Sequence, residues 1–181
     1  MQLLEQGSIW EDDAAVLVVP VNCASVMVDG MAKEAKHRFP DLDPLYRQAC
    51  RREWLAPGHV LIRHRTVGRP YLVAFAATQN DWREPSRLEW IASICSDIAR
   101  IAATARLCES VWGTSWAVPA LGSGLGGLAW PDVLAIMERT LADVDARVYP
   151  PADHDRQRVA AIVAREMAGE MAGEGKGVTE P

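Results

Sequence analysis

Pro119-Ala120-Leu121-Gly122-Ser123-Gly124-Leu125-Gly126-Gly127-Leu128 joins an apolar run to a segment with helical spacing, and its reading decides the fold. The residues before it, within 111–121, are apolar on both sides, as in a strand covered on both faces. Pro131 follows at the start of a helix expected over 131–144, where a missing N–H does no harm. Strand, glycine loop and helix in that order form an anion cradle. Glycines let the backbone turn sharply and let a ligand approach without meeting a Cβ, while the first amides and the dipole of the helix favour negative charge. Such a cradle holds a diphosphate without a basic side chain.

Two other readings compete for the same residues. Gly122, Gly124 and Gly127 spell G-x-G-x-x-G, the dinucleotide fingerprint. That fingerprint belongs after the first strand of its unit, with several strands and an acidic ribose anchor still to come. Here one short strand follows, over 147–149. Ser123 is not framed as G-x-S-x-G, so it is not read as a hydrolase nucleophile. A tight turn that holds no ligand stays open as the alternative.

Outward from the loop, residues 14–21 form a near-continuous β-branched apolar run, a second strand buried on both faces. Strands are also expected over 2–5, 59–65 and 71–78, and helices over 31–38, 43–52 and 86–107. Leu88, Ile91, Cys95, Ile98 and Ala102 lie along one face of the last of these. Strands alternating with helices imply crossovers, hence an α/β fold: a mostly parallel or mixed sheet with helices on both faces, three layers in all. One more helix is expected over 152–172, then a flexible, glycine-rich tail over 173–181.

The chain has 181 residues, 49% of them hydrophobic, which fits one domain with one buried core and no disorder by default. A net charge of −5 argues against broad electrostatic binding to nucleic acid, although Arg51-Arg52 and Arg63-His64-Arg65 leave room for a local basic patch. Cys23, Cys50, Cys95 and Cys108 show no metal-ligand spacing and read as reduced thiols. No signal peptide and no membrane-length apolar run is present. The expectation is a soluble cytoplasmic protein with no membrane contact.

Taken together with the first half of the chain, the glycine loop resembles the macrodomain family, and its ADP-ribosyl-hydrolase branches most of all. The likeness runs over residues 1–151. It rests on Gly7-Ser8-Ile9, Val21-Asn22, Val26-Met27 with Gly30, Arg38-Phe39-Pro40, Trp82-Arg83, Ser86-Arg87-Leu88-Glu89 and the loop at 119–128, in matching order and spacing. The resemblance implies a mixed sheet with ADP-ribose lying over the strand ends, no cofactor and no metal ion. It places Ser8 and Ile9 near the adenine, Ser8 standing where relatives usually carry an acid or amide. Asn22 would bond the distal ribose. Val28 and Gly30 in the first loop, with Gly122, Ser123, Gly124, Leu125, Gly126 and Gly127, would clasp the diphosphate. The partner so implied is ADP-ribose, free or carried on protein or nucleic acid.

The resemblance also bears on chemistry. The branch acting on DNA bases has a lysine nucleophile before Trp-Arg, and this chain reads Thr78-Gln79-Asn80-Asp81-Trp82-Arg83. A neutral amide forms no covalent sugar adduct. An acid common in or after the glycine loop of that branch is replaced by Gly126 and Ala129. Another branch activates water with the aspartate of Val-Asp-Gly, and Val28-Asp29-Gly30 matches that segment. The expected function is hydrolysis of an ADP-ribosyl linkage on a macromolecule, or of an ADP-ribose ester, through Asp29 and Asn22, with a non-catalytic binder of ADP-ribose or an NAD-derived nucleotide as the alternative. A solvated turn acid remains the other reading of Asp29. The scattered histidines suggest no metal or acid–base pair, and Trp90, Trp112 and Trp116 are assigned to packing.

Overall fold

The computed structural model describes residues 1–5, 7–65, 68–108 and 115–152. Six strands form one sheet: β1 (Gln2–Leu3), β2 (Val16–Asn22), β3 (Val60–His64), β4 (Leu72–Gln79), β5 (Ser115–Pro119) and β6 (Asp145–Tyr149). Their order is β1-β6-β5-β2-β4-β3, parallel throughout except for β3, which runs antiparallel to β4 at one edge. Among the described residues, four helices connect them: α1 (Gly30–Arg38), α2 (Leu42–Arg51), α3 (Leu88–Leu107) and α4 (Trp130–Thr140). The helix expected over 152–172, the tail over 173–181 and Trp112 fall outside the described residues.

The period-two geometry of β2 divides the interior. Val16 and Val18 join Ile91, Ile94, Ile98, Val133 and Met137 on the α3–α4 face. Leu17, Val19 and Val21 join Leu42, Tyr46 and Phe75 on the α1–α2 face. Both faces of β2 are therefore dry, which is why its sequence is an unbroken apolar run rather than an alternating one. Cys95 and Trp116 lie in the first core, fully buried as expected.

Two helix starts are displaced by two residues from the sequence expectation. Asp43-Pro44 reads as cap and first residue, yet α2 begins at Leu42. The Asp43 carboxylate lies inside the first turn, paired with Lys36 at 3.4 Å and Arg47 at 2.9 Å. The α3 helix starts at Leu88 rather than at 86, because the Ser86 amide donates to Gly126 O at 2.9 Å.

A 3-10 turn, Ile9–Glu11, crosses from β1 toward β2. It is tied down by Asp12, whose carboxylate accepts from Arg147 and from the Tyr149 hydroxyl on β6, and from the Ala14 amide at 2.7 Å. Burial disfavours the charged carboxylate, but the bonds from Arg147, Tyr149 and Ala14 outweigh it and hold the Asp12 pKa below its ordinary value. A depressed folded-state pKa gives stability that is present above about pH 4 and is lost as pH falls through the lowered value. Arg147→Ala should therefore cost about 2–3 kcal/mol at neutral pH, less than a fully buried pair because the guanidinium reaches solvent. In Asp12→Asn the thermal midpoint should fall less between pH 6 and about pH 3 than in the parent, as calorimetry would show. A steeper fall in the variant would refute the assignment.

Candidate ligand site over the strand ends

Parallel β2, β4 and β5 deliver their following loops to one end of the sheet. From there β2 leads to α1 on one face, while its neighbours β4 and β5 lead to α3 and α4 on the other. A crevice opens where neighbouring connections diverge, and ligands of open α/β sheets bind there. Asn22, Gln79 and the glycine loop all stand at this divergence.

The glycine loop has an anchored base and an open rim. The Ser123 amide donates to Ala120 O at 3.2 Å, Gly127 to Gly124 O at 3.1 Å and Leu128 to Gly122 O at 3.0 Å. Gly122 takes a φ of 70°, in the left-handed region that disfavours side chains. A Cβ on Gly126 would clash with the Ser86 hydroxyl and lie 2.7 Å from Gly122 O. Ser86 thus fills the space under the loop and requires glycine above it. Among the described residues, the consecutive amides of Gly124, Leu125 and Gly126 donate to no protein acceptor. The α4 N-terminus beyond the loop has no side-chain cap, since Ala129 occupies that position. The hydroxyls of Ser86 (5% exposed) and Ser123 (2% exposed) are buried with no partner among the described residues.

Facing this loop is residues 23–30. A Cβ on Gly30 would touch Leu125 Cδ1 at 3.4 Å, so the two loops meet. Val28 and Leu125 stand exposed at the join. Asp29 caps α1, its Oδ1 accepting from the Gly30 amide at 2.8 Å, and its carboxylate is exposed.

Asn22 is 6% exposed and points into its own loop. Its Nδ2 donates to Val26 O at 2.8 Å, and its Oδ1 accepts from the Ala24 amide at 3.0 Å and the Val26 amide at 3.3 Å. The Tyr46 hydroxyl lies 2.7 Å from Asn22 O and 2.9 Å from Oδ1. Burial drives the Tyr46 pKa strongly upward, so this hydroxyl stays a donor. The β2–β4 register slips after Val21, which sets Asn22 opposite Gln79. Gln79 is buried, and its Nε2 donates to Glu84 O at 2.6 Å. A further bond, Cys23 N to Asn80 O at 3.0 Å, ties the first loop to the β4–α3 loop.

Ser8 and Ile9 make only local bonds among the described residues: the Ser8 hydroxyl accepts from the Trp10 amide at 3.4 Å and its carbonyl from Glu11 at 3.0 Å. Ile9 lines a small hollow with Leu17, Phe39 and Ala117, beneath the 3-10 turn and apart from the glycine loop. We assign that hollow to packing: Leu17 and Ala117 pair within the sheet, and neither lies at a strand end. Tyr46 and Ser86, which shape the two loops, carry no sequence signal of that role. No group of three potential metal ligands occurs among the described residues. No helix among them is long and apolar enough to cross a membrane.

No family model matches the chain. A DNA ADP-ribosyl glycohydrolase of Mycobacterium tuberculosis is 34% identical over 155 residues, which are 83% of this chain and 42% of that protein. The chain thus spans about two-fifths of the length of the curated relatives it matches. The solved Thermosipho africanus DarTG in complex with ADP-ribose aligns with a TM-score of 0.74 at 27% identity, over 83% of this chain and 41% of that one. The solved macrodomain of Mycobacterium tuberculosis DarG aligns with a TM-score of 0.70 at 34% identity, over 83% of this chain and 99% of that one. On that agreement of sequence and fold across a whole solved domain, this chain belongs to the macrodomain family.

Proposed function

We propose that the chain binds ADP-ribose over the ends of β2 and β5 and hydrolyses an ADP-ribosyl linkage to a macromolecule, with DNA as the carrier. The observation that carries the binding is the run of unclaimed amides at Gly124, Leu125 and Gly126, opposite Gly30 and beside an uncapped helix N-terminus. Such a set suits a diphosphate. DNA as carrier is supported by the names of the curated relatives.

In this reading Asp29 takes a proton from water as its oxygen attacks the distal anomeric carbon. The bond from that carbon to the carrier breaks, and the leaving atom recovers a proton. The loop amides stabilise the phosphate charges throughout. A second reading, a binder that cuts nothing, is favoured by Gln79. Its amide stands where a related branch has a lysine, and it already donates to Glu84 O.

Asp29→Asn separates the two, because asparagine still caps α1 but cannot act as a base. We expect ADP-ribose affinity by calorimetry to stay within a few-fold, and turnover of an ADP-ribosylated oligonucleotide to fall about 100-fold or more. Binding without turnover in the parent, unchanged in Asp29→Asn, would select the binder. Turnover gained in Gln79→Lys would then show what silenced it.

A further inference from the structure

The thiols differ in what surrounds them. Cys95 is fully buried in the core against α3, and Cys108 stands exposed at the end of that helix. Cys23 and Cys50 are both half-buried, and both pack against the core on the α1–α2 face. They come from different elements. Cys23 directly follows Asn22 at the end of β2 and opens the first loop of the cleft. Cys50 lies four residues beyond Tyr46 on α2, one turn on and on the same helix face.

Tyr46 brings the two together. Its hydroxyl lies 2.7 Å from Asn22 O, on the carbonyl bonded to the Cys23 nitrogen, and the Cys50 thiol stands beside the same hydroxyl. The chain after α2 returns to this end of the sheet, where Gly58 N donates to Ala77 O at 2.8 Å and Cys23 N to Asn80 O at 3.0 Å. Cys23 and Cys50 stand within electrostatic reach of each other. Burial, and after it Cys50, pushes the Cys23 thiol up to about 11. Two half-buried thiols thus converge on one hydroxyl at the base of a loop that shapes the cleft.

We propose that Cys23 and Cys50 form a redox-modification site, joined as a disulfide by a peroxide, and that joining them weakens ADP-ribose binding. The second part rests on the reading that the cleft takes ADP-ribose. Cys50 reacts first, because little of Cys23 is thiolate near neutral pH. One peroxide oxygen passes to the Cys50 sulfur, giving a sulfenic acid and one water. The Cys23 sulfur then attacks the Cys50 sulfur, the S–O bond breaks, and the hydroxide leaves with the Cys23 proton as a second water. The two sulfurs lose two electrons and the peroxide gains them. The new bond draws Cys23 toward α2, whereas the glycine loop leads to α4 on the opposite face of the sheet. The base of the first loop therefore moves away from Leu125, and the cleft loses its fit to the diphosphate.

The test treats the whole chain, at micromolar concentration, with hydrogen peroxide and then with dithiothreitol. Peptide mapping by mass spectrometry should find Cys23 linked to Cys50 after peroxide. The thermal midpoint should rise by about 5 °C or more, as closing the loop from 23 to 50 constrains the unfolded chain. ADP-ribose affinity by calorimetry should fall about fivefold or more and return with dithiothreitol. Cys50→Ser should bind ADP-ribose within about twofold of the reduced parent and ignore peroxide, with Cys50→Ala as the second variant if serine disturbs α2. Cys50 carried to sulfinic acid with no linked peptide, a linked chain that binds ADP-ribose as the reduced one does, or peroxide sensitivity kept in both variants would each overturn the proposal. A reduced parent that ignores ADP-ribose, with the 23–50 link and the rise in midpoint intact, would instead sink the functional reading and leave the thiol pair standing.

Discussion

Gly126→Ala should abolish ADP-ribose binding and lower stability by about 1–3 kcal/mol, the range for forcing a methyl group into filled space. The added Cβ would clash with the Ser86 hydroxyl, lie 2.8 Å from Ser86 Cβ and 2.7 Å from Gly122 O. Two of these neighbours belong to a small buried side chain, and the third is backbone. None is the mobile end of a long chain that could swing aside. The loop must therefore lift, which breaks Ser86 N to Gly126 O and displaces the amides of Gly124, Leu125 and Gly126 together. For a domain of this size the thermal midpoint should fall by roughly 2–4 °C per kcal/mol. The double variant Ser86→Gly with Gly126→Ala is the discriminating control. It removes the serine clashes but leaves Gly122 O in place, so it should recover part of the stability and little of the binding. If Gly126→Ala binds ADP-ribose as the parent does, the cradle is not formed by these amides.

That prediction marks how far the sequence could be read. The glycine loop is legible from spelling and position alone, because strand, loop and helix are consecutive. The reason for glycine at 126 is not, since it lies in Ser86, forty residues earlier and on another loop. The β2 run is legible because burial on both faces leaves no polar position in it. Its continuation into Asn22 is legible only as a polar residue at a strand end. The sequence suggests a ligand contact there, whereas the structure shows the side chain turned into its own loop and buttressed by Tyr46 from α2. Local patterns find elements; partners distant in sequence decide what a polar side chain does. Trp54, an exposed side chain, shows the same limit, for nothing local to it reveals that Arg63, on the edge strand β3, stacks on it.

Asn22→Ala should cost about 2–3 kcal/mol, a fall of roughly 5–10 °C in the thermal midpoint. Alanine removes the acceptor for the Ala24 and Val26 amides and the donor to Val26 O, three bonds in a nearly dry site. The Tyr46 hydroxyl loses less, because its single proton keeps the carbonyl of residue 22 at 2.7 Å. Tyr46→Phe should accordingly cost only about 1 kcal/mol. Hydrogen exchange locates the damage: the Ala24 and Val26 amides should be protected in the parent and should exchange much faster in Asn22→Ala. Amides in the sheet interior should change only with global stability. ADP-ribose binding should fall with this loosening, because residues 23–30 form one side of the clasp. One Nδ2 hydrogen of Asn22 is unclaimed among the described residues, so a direct bond to the ribose is compatible with the staple. Asn22→Asp distinguishes the two contributions. It keeps an acceptor for both loop amides, but brings a carboxylate against Val26 O and has no N–H to give a sugar. Loop protection retained with binding lost would assign the ribose contact to Asn22. A thermal midpoint for Asn22→Ala within about 1 °C of the parent would mean that the loop is held by other bonds.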